Sequence, residues 1–318
     1  MQSQLPARPM WPHAGVENHA GNPFLAAKHR PLVVGHRGVP TLHQENSLVG
    51  FQKAIELGVP AVELDVRLTA DGVPVVVHDD DLRRLTGVDA RVSDLTWARL
   101  SKLKLRRDVP MGIGPDGSRV TAHYAREEPI ARFDEVLAAI DGKVAANVEL
   151  KVDLPRWWPT EVGAIAARAI VAAGAAARVI VTSFDPRKLR AARRTARDLE
   201  TGFCFDDGML DGLRALVDVL TRRRALSRLL DRHVIGWILD SRVVGAEHTL
   251  IGGEAVERLH QRGVAVGTHT IFPLGSTTGK PIDPAASSAA EVERLAATGL
   301  DWIESDDPVR LMECLSRI

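Results

Sequence analysis

Short apolar segments alternate with helical patterns along almost the whole chain after residue 30. This alternation is typical of βα units around a parallel sheet. The apolar segments predict strands over Leu32–Gly35, Ala61–Val66, Val75–His78, Ala145–Val152, Arg178–Phe184, Gly202–Phe205, Val234–Leu239, Val264–His269 and Asp301–Ser305. The helical patterns cover Ser47–Leu57, Phe133–Ala139, Glu161–Ala173, Pro186–Asp198, Leu210–Asp231, Gly253–Arg262 and Ala289–Ala297. The predicted class is α/β, with one strand more than a TIM-like (β/α)8 barrel needs.

A tight turn explains the surplus strand. The segment from Thr69 to Gly72 reads Thr-Ala-Asp-Gly, a turn signal that leaves no room for a crossover helix. The strands on either side should therefore form an antiparallel hairpin. Counting outward from the turn places His78 opposite Asp65, and a slip of one residue would turn the histidine away.

The regular alternation breaks between Leu82 and Glu128, in a stretch that contains Pro110, Gly112 and Pro115. We predict that residues 88–128 form a small insertion over the barrel mouth, where it would shape substrate access. The remainder of residues 31–318 should form one barrel domain. The polar residues 1–30 are expected to form a flexible N-terminal arm.

Composition is that of a compact soluble domain, with 318 residues, 45% hydrophobic and 26% charged. The 41 basic and 41 acidic side chains balance, so no net field favours nucleic acid, and an anion would need a local cluster. Cys204 and Cys314 lack the spacing of a zinc or redox motif. Without a signal-peptide pattern or an apolar run of about 18 residues, we expect a cytoplasmic protein with no transmembrane segment. The oligomeric state is not indicated.

Charged residues occupy the inward face of two predicted strands. Strand alternation puts Glu63 and Asp65 on one face, and likewise Asn147, Glu149 and Lys151. Charge inside a barrel is costly unless it serves a site. Three converging carboxylates favour a divalent cation with oxygen ligands, Mg²⁺ or Ca²⁺. The alternative is a structural ion pair of Lys151 with Glu149 or Asp65.

Two histidines and an arginine follow predicted strands, at the end where barrel active sites are built. His36 and Arg37 follow the first strand, and His78 follows three valines. Histidine exchanges protons near neutral pH and arginine binds two phosphate oxygens, so the set suits phosphoester cleavage. Capping or loop anchoring is the alternative for His36 and Arg37, and a structural histidine bound by neighbouring carboxylates is the alternative for His78. Glu45 precedes Asn46, which reads as the N-cap of the next helix.

Several segments together resemble a known family: GHRG, QENSLVGFQKAIELG, VELDVRLTADGVPVVVHDDDLRRLTG, NVELK and TSFDP. The sequence resembles the glycerophosphodiester phosphodiesterases, within the phospholipase-C-like TIM-barrel phosphodiesterases, whose pattern reads HRG, a PEN-type segment, E-x-D-V, T-x-D-G and HD. The resemblance is dense from Val33 to Gly87, recurs at Asn147–Lys151 and Thr182–Phe184, and is thin elsewhere. Such a linked series is more specific than any single motif.

The resemblance implies a role for each matching position. His36 and His78 would be the general acid and base, and the phosphate would be bound by Arg37 and Lys151. The implied ligands of one divalent cation, Mg²⁺ or Ca²⁺ with Mn²⁺ as a further candidate, are Glu63, Asp65 and Glu149. Glu45 would be a further ligand or lie just outside the ligand set.

The chain departs from the family pattern at three places. Gln44 replaces the proline before the Glu-Asn pair, and His269 stands where the family often has an aromatic residue, which changes the alcohol side of the pocket. The closing segment from Glu304 to Pro308 matches only in part. We expect His269 and Phe272 to contact the substrate. Trp157 and Trp158 follow a strand, and they either stack on a choline-like cation of the substrate or make a packing contact with a helix.

The implied activity is metal-dependent hydrolysis of glycerophosphodiesters to glycerol 3-phosphate and an alcohol, a reaction of lipid and glycerol metabolism. The nucleophile would be water or the substrate's own hydroxyl, which would give a cyclic phosphate. The alternatives are a lysophospholipase D, a catalytically silent barrel that binds phosphodiesters, and a glycosidase. A silent binder would need neither His36 nor His78, and a glycosidase would not need Arg37 and Lys151.

Overall fold

In the computed structural model, which describes residues 21–26, 29–152, 159–206, 209, 219–277 and 282–318, parallel strands close into an eight-stranded barrel. The barrel strands are β1 (Leu32–Gly35), β2 (Ala61–Leu68), β9 (Ala145–Leu150), β10 (Val179–Ser183), β11 (Glu200–Phe205), β12 (Val243–Glu247), β13 (Ala265–Ile271) and β14 (Trp302–Ser305). The ring closes because β1 pairs with both β2 and β14. The predicted barrel is confirmed.

Helices surround the barrel and bury one apolar side each against it. They are α1 (Leu48–Glu56), α4 (Phe133–Ile140), α5 (Glu161–Ala172), α6 (Pro186–Thr195), α7 (Val219–Arg232), α9 (Gly253–His260), α10 (Ala289–Ala297) and α11 (Pro308–Ser316). Val62, Leu64 and Val66 of β2 belong to the core between strands and helices, as the alternation predicted. Among the described residues, no helix has the length and apolar character needed to span a membrane.

The strand predicted over Val234–Leu239 is wrong. These residues form helix α8 (Val234–Leu239), bounded by His233 and Asp240 in left-handed conformations. The barrel strand at this place is β12, which begins four residues further on at Val243. A short apolar run has no period that separates a strand from one or two turns of helix, and the pattern alone could not decide.

The predicted hairpin after β2 is present, with a different register. Strand β3 (Pro74–Val76) pairs antiparallel with β2, with Val76 opposite Val66. The N–H of Val77 donates to the Asp65 carbonyl at 3.0 Å, so Val77 rather than His78 lies opposite Asp65. His78 follows the end of the strand, and its side chain still lines the cavity at the barrel mouth because it is no longer bound by strand alternation.

The insertion has its own small core. It contains α2 (Arg83–Thr86), α3 (Trp97–Leu100), β4 (Lys104–Leu105), β5 (Asp108–Ile113), β6 (Arg119–His123), β7 (Glu128–Pro129) and β8 (Ala131–Arg132). Its core includes Leu82 and Leu85, so the inserted structure begins before the predicted residue 88. Reciprocal backbone hydrogen bonds of 3.1 and 2.9 Å join Ile113 to Ser276 in the loop after β13.

The other end of the barrel is sealed by residues from the expected N-terminal arm. Phe24 is fully buried and packs edge-to-face on Trp302, with ring centroids 5.5 Å apart. Asn22 donates to the Val179 carbonyl at 3.1 Å. A Cβ on Gly267 would lie 1.8 Å from the Trp302 ring, so glycine is needed beside this indole. The loose arm expected over residues 1–30 therefore does not include residues 21–26.

Phe24→Ala should destabilise the protein by about 3 kcal/mol, because it leaves a cavity beneath Trp302 that the barrel cannot collapse to fill. Chemical denaturation measures the free energy of unfolding. Leu25→Ala is the matched control, since Leu25 packs on the same floor but is only half buried, and it should cost less than half as much. Equal effects of the two substitutions would contradict the role of Phe24 as the seal.

Candidate active site

His36 and Arg37 lie in a sharp turn directly after β1. The N–H of Gly38 donates to the Gly35 carbonyl at 3.1 Å, and Gly38 has φ of 93°. A Cβ on Gly35 would lie 2.3 Å from the Gly38 oxygen, so the turn requires glycine there. Arg37 has φ of 57°, and its N–H donates to Glu63 Oε2 at 2.9 Å. The turn thus ties the histidine and arginine to an acidic residue of β2.

Three carboxylates converge at the end of two neighbouring barrel strands. Asp65 of β2 lies directly opposite Glu149 of β9, and Glu63 lies on the same face two residues earlier. Each residue offers one oxygen, and these oxygens lie within 4.8 Å of one another. Glu63 and Asp65 are buried, and Glu149 is half buried. Strand alternation predicted this group from the sequence.

The acidic group is not fully neutralised by its protein neighbours. Lys151 Nζ lies 2.7 Å from Glu149 Oε1 and 3.3 Å from Asp65 Oδ1, so the ion pair considered as an alternative is present. Glu63 Oε1 is nevertheless buried without a hydrogen-bond partner, and the contact of Asp65 Oδ1 with the lysine lacks hydrogen-bond geometry. Oxygen donors in this number and spacing fit a divalent cation of the Mg²⁺ or Ca²⁺ class.

The buried charges displace the pKa values of the carboxyl groups in opposite directions. Burial, with repulsion from Asp65, Glu304 and Glu149, raises the pKa of Glu63 well above its usual range. Burial also opposes ionisation of Asp65, but the nearby Lys151 ammonium and other cations outweigh it and hold its pKa well below the usual range. Two acids two residues apart therefore differ in proton affinity because only one faces the lysine.

Asn46 fixes the orientation of Asp65. Its Nδ2 donates to Asp65 Oδ2 at 2.7 Å, and its Oδ1 accepts from the Asp65 N–H at 3.2 Å. The prediction of Asn46 as the N-cap of α1 is wrong. Ser47 is the N-cap, and its side chain accepts from the Gly50 N–H. With φ of 58°, Asn46 adopts a backbone conformation that asparagine tolerates better than most residues.

Glu45 is paired with arginines and does not belong to the acidic group. Arg84 donates to both Glu45 oxygens at 2.8 Å, and Arg37 Nη1 donates to Oε1 at 3.0 Å. Burial opposes ionisation of Glu45, but the charges of Arg84 and Arg37 outweigh it and lower its pKa to about 2. The carboxylate that the resemblance offered as a further metal ligand is thus engaged by two guanidinium groups.

Each histidine has one ring nitrogen held by a carboxylate. His36 Nδ1 lies 2.6 Å from Asp306 Oδ1, and His78 Nδ1 lies 2.7 Å from Asp79 Oδ1. Asp306 is itself fixed, because its Oδ2 accepts from the Leu274 N–H at 2.8 Å. With both carboxylates ionised, Nδ1 of each ring is the donor and Nε2 remains for proton exchange.

The predicted residues meet around two adjoining cavities of ≈ 290 and ≈ 130 Å³. The larger is lined by predicted site residues His36, Arg37, His78, Glu149, Lys151 and His269. The smaller is lined by His36, Arg37 and Glu45, with Met111 of the insertion and Gly275. Substrate could therefore extend to either side of His36 and Arg37.

Only some of the residues predicted to line the substrate pocket lie at a cavity. His269 lines the larger cavity, with its ring 6.0 Å from that of Phe184. Phe272 lines neither of these two cavities, because its buried ring packs in the core with the Arg310 guanidinium 4.0 Å above it. Its prediction as a substrate contact is therefore not supported by its position. Trp157 and Trp158 lie outside the described residues.

Polar groups missed by the sequence reasoning lie under the larger cavity. Asn147 donates to Glu304 Oε1 at 2.7 Å and accepts from Thr182 Oγ1 at 2.8 Å. Trp302 Nε1 also donates to Glu304 Oε1, at 3.3 Å. Burial raises the pKa of Glu304 to about 7, and repulsion from Glu149 adds to the shift. The sequence signal for Asn147 is its place on the inward face of the same strand as Glu149.

Comparison with known proteins identifies the family of this chain. A model of the glycerophosphoryl diester phosphodiesterase family matches residues 36–310. A glycerophosphodiester phosphodiesterase of Caldanaerobacter subterraneus subsp. tengcongensis is 31% identical over 182 residues, 57% of this chain and 70% of that protein. The crystal structure of a candidate glycerophosphoryl diester phosphodiesterase from Silicibacter pomeroyi is 25% identical with a TM-score of 0.68, covering 92% of this chain and 96% of that one.

A more distant structure shares the fold. An Oleispira antarctica phosphodiesterase, solved in complex with the product sn-glycerol-3-phosphate, has a TM-score of 0.64 at 20% identity, covering 90% of this chain and 97% of that one. The family match spans most of the sequence, including both histidines and the acidic group. The chain belongs to the glycerophosphoryl diester phosphodiesterase family.

Proposed function

We propose that this protein hydrolyses glycerophosphodiesters to glycerol 3-phosphate and an alcohol, with a divalent cation held by Glu63, Asp65 and Glu149. One observation supports the proposal most strongly. The larger cavity is lined by both histidines, by Arg37 and Lys151, and by Glu149 of the acidic group. Proton-transfer groups and phosphate-binding cations are thus assembled at one place, in a chain of this family.

The histidines supply the proton transfers. One Nε2 takes the proton from the attacking oxygen as that oxygen bonds to phosphorus, and the other gives a proton to the alcohol oxygen as its bond to phosphorus breaks. Overall, one water is consumed and no oxidant or reductant is needed. Asp306 and Asp79 keep the rings oriented by accepting from Nδ1.

Arg37 and Lys151 bind the phosphate oxygens. The Arg37 guanidinium lines both cavities, with its Nε 3.3 Å from Asp65 Oδ2, while Lys151 contributes a point charge beside the acidic group. When bound, a divalent cation supplies Lewis-acid polarisation of the phosphoryl group. Substrate charge and the three carboxylates are then both compensated.

Removing divalent cations should abolish turnover, because the three carboxylates repel one another and the phosphate without a cation between them. The assay measures release of glycerol 3-phosphate from glycerophosphocholine and glycerophosphoethanolamine, with EDTA and after adding back Mg²⁺, Ca²⁺ or Mn²⁺. Lysophosphatidylcholine in the same panel tests the lysophospholipase D alternative, with release of choline as the readout because the product keeps its acyl chain. Full activity in excess chelator contradicts the metal requirement, and release of neither glycerol 3-phosphate nor choline from any substrate supports the silent-barrel alternative.

His36→Ala and His78→Ala should each lower kcat by at least about a hundredfold, the scale of general acid–base catalysis. Circular dichroism should show an unchanged fold, since both rings lie at the edge of a cavity. The double variant should lose less than the product of the two single losses, because both act in one step. A single variant that retains near-normal kcat shows that its histidine is structural.

In the cation-free protein, His78 should remain neutral down to about pH 5. Burial, with the positive charges of Arg37 and Lys151, lowers the pKa of His78 to about 4, so its neutral form persists as the pH falls. Nitrogen-15 chemical shifts of the imidazole, followed from pH 8 to pH 4 with EDTA present, measure this directly. Protonation with a midpoint near that of free histidine would show that the ring is open to solvent.

A further inference from the structure

Arg84 lines neither of the two cavities, yet it links two carboxylates near them, those of Glu45 and Asp79. It lies on the short helix α2 of the insertion, with its side chain 14% exposed. Its Nη1 and Nη2 donate to the two oxygens of Glu45 at 2.8 Å, and its Nε donates to Asp79 Oδ2 at 2.5 Å. All three guanidinium nitrogens are thus used within the protein.

Asp79 connects this arginine to a catalytic candidate. Its Oδ2 accepts from Arg84 and its Oδ1 lies 2.7 Å from His78 Nδ1, so each carboxylate oxygen has one partner. A carboxylate held at one oxygen cannot rotate freely, and the direction of the other oxygen is therefore fixed. The orientation of the His78 ring depends on a contact made on the far side of Asp79.

Glu45 holds the arginine in place. It is 2% exposed and receives both terminal nitrogens of Arg84 in a bidentate pair, the most directional geometry that a carboxylate and a guanidinium can form. Lysine offers a compact charge without this fork, so it could not grip Glu45 and Asp79 in the same way. The planar shape of the arginine, as well as its charge, links the two acids.

We propose that Arg84, anchored on Glu45, is a positioning residue for His78, which it holds through Asp79 with Nδ1 toward the carboxylate and Nε2 toward the cavity. The role rests on the proposed function, in which His78 transfers a proton. Glu45 accordingly serves as the anchor of this chain of contacts. The proposed metal ligands are then Glu63, Asp65 and Glu149, without Glu45.

The adjacent arginine provides a matched control. Arg83 lies on the same helix, is 61% exposed, and pairs with Asp89, which is 81% exposed. An Arg83→Lys substitution therefore makes the same chemical change one position away, without touching Asp79 or Glu45. Arg84→Lys keeps the buried positive charge, which protects the fold better than a neutral residue would.

The experiment has a readout that does not depend on turnover. Nitrogen-15 shifts of neutral His78 in the cation-free protein report which ring nitrogen carries the proton. Wild-type protein and Arg83→Lys should show His78 in the Nδ1–H form alone, and Arg84→Lys should show a mixture of both tautomers. A single Nδ1–H form in folded Arg84→Lys overturns the proposal, whatever the substrate proves to be.

Kinetics on glycerophosphocholine and on bis(p-nitrophenyl) phosphate test the consequence. Arg84→Lys should lower kcat about ten- to a hundredfold with KM changed less than about threefold, as expected for loss of a group that orients a histidine. In a His78→Ala background the same substitution should have almost no further effect. A full additional loss in that background would place the action of Arg84 elsewhere and overturn the proposal.

Two further comparisons separate the possible failures. If Arg84→Lys does not fold, Asp79→Asn replaces the carboxylate that contacts both Arg84 and His78, and it should give the same mixed tautomers and the same kcat loss. Unchanged tautomers in Asp79→Asn overturn the proposal. Wild-type cleavage of bis(p-nitrophenyl) phosphate without release of glycerol 3-phosphate refutes the proposed substrate while leaving the test of Arg84 intact.

Discussion

Burial of several carboxylates at one end of a barrel is the constraint around which this site is organised. Glu63, Asp65 and Glu149 come from neighbouring strands and cannot move apart, because each is fixed in the backbone ladder. Their repulsion must be offset locally. Lys151 offsets part of it, and the buried carboxylate oxygens without hydrogen bonds are where a cation would complete the balance.

The same constraint orders the surrounding loops. The Arg37 N–H donates to Glu63, while Asn46 binds both the backbone and the side chain of Asp65, so the loop between β1 and α1 is attached to the acidic group at two points. Arg84 belongs to the insertion and reaches Glu45 beside them. The insertion is therefore connected to the site through charge pairs as well as through its backbone bridge at Ile113. The active-site residues and the insertion above them are therefore structurally coupled.

Sequence patterns predicted the structure correctly where the backbone is regular. Alternation along β2 and β9 identified the inward residues, and the βα rhythm gave the barrel. The rules failed where contacts are distant in sequence. Asp306 pairs with His36 across 270 positions, and no local pattern encodes that contact. Arg84 was visible only as part of a motif, because its partners lie in the loop after β1 and in the His-Asp pair.

Two errors show the limit in physical terms. The run Val234–Leu239 has the composition of a strand, but left-handed residues at both ends confine it to a short helix. The register of the β2–β3 hairpin is set by turn geometry, which residue counting does not resolve to one position. His78 reaches the cavity despite this slip, because the strand ends before it.

In the proposed site, Glu63, Asp65 and Glu149, and not Glu45, hold the divalent cation. Anomalous diffraction from crystals of the full chain grown with Mn²⁺ tests this most directly. We expect one strong anomalous peak between these three carboxylates, with the Glu45–Arg84 pair intact. A peak coordinated by Glu45, or no peak at the acidic group with Mn²⁺ in excess, would contradict it.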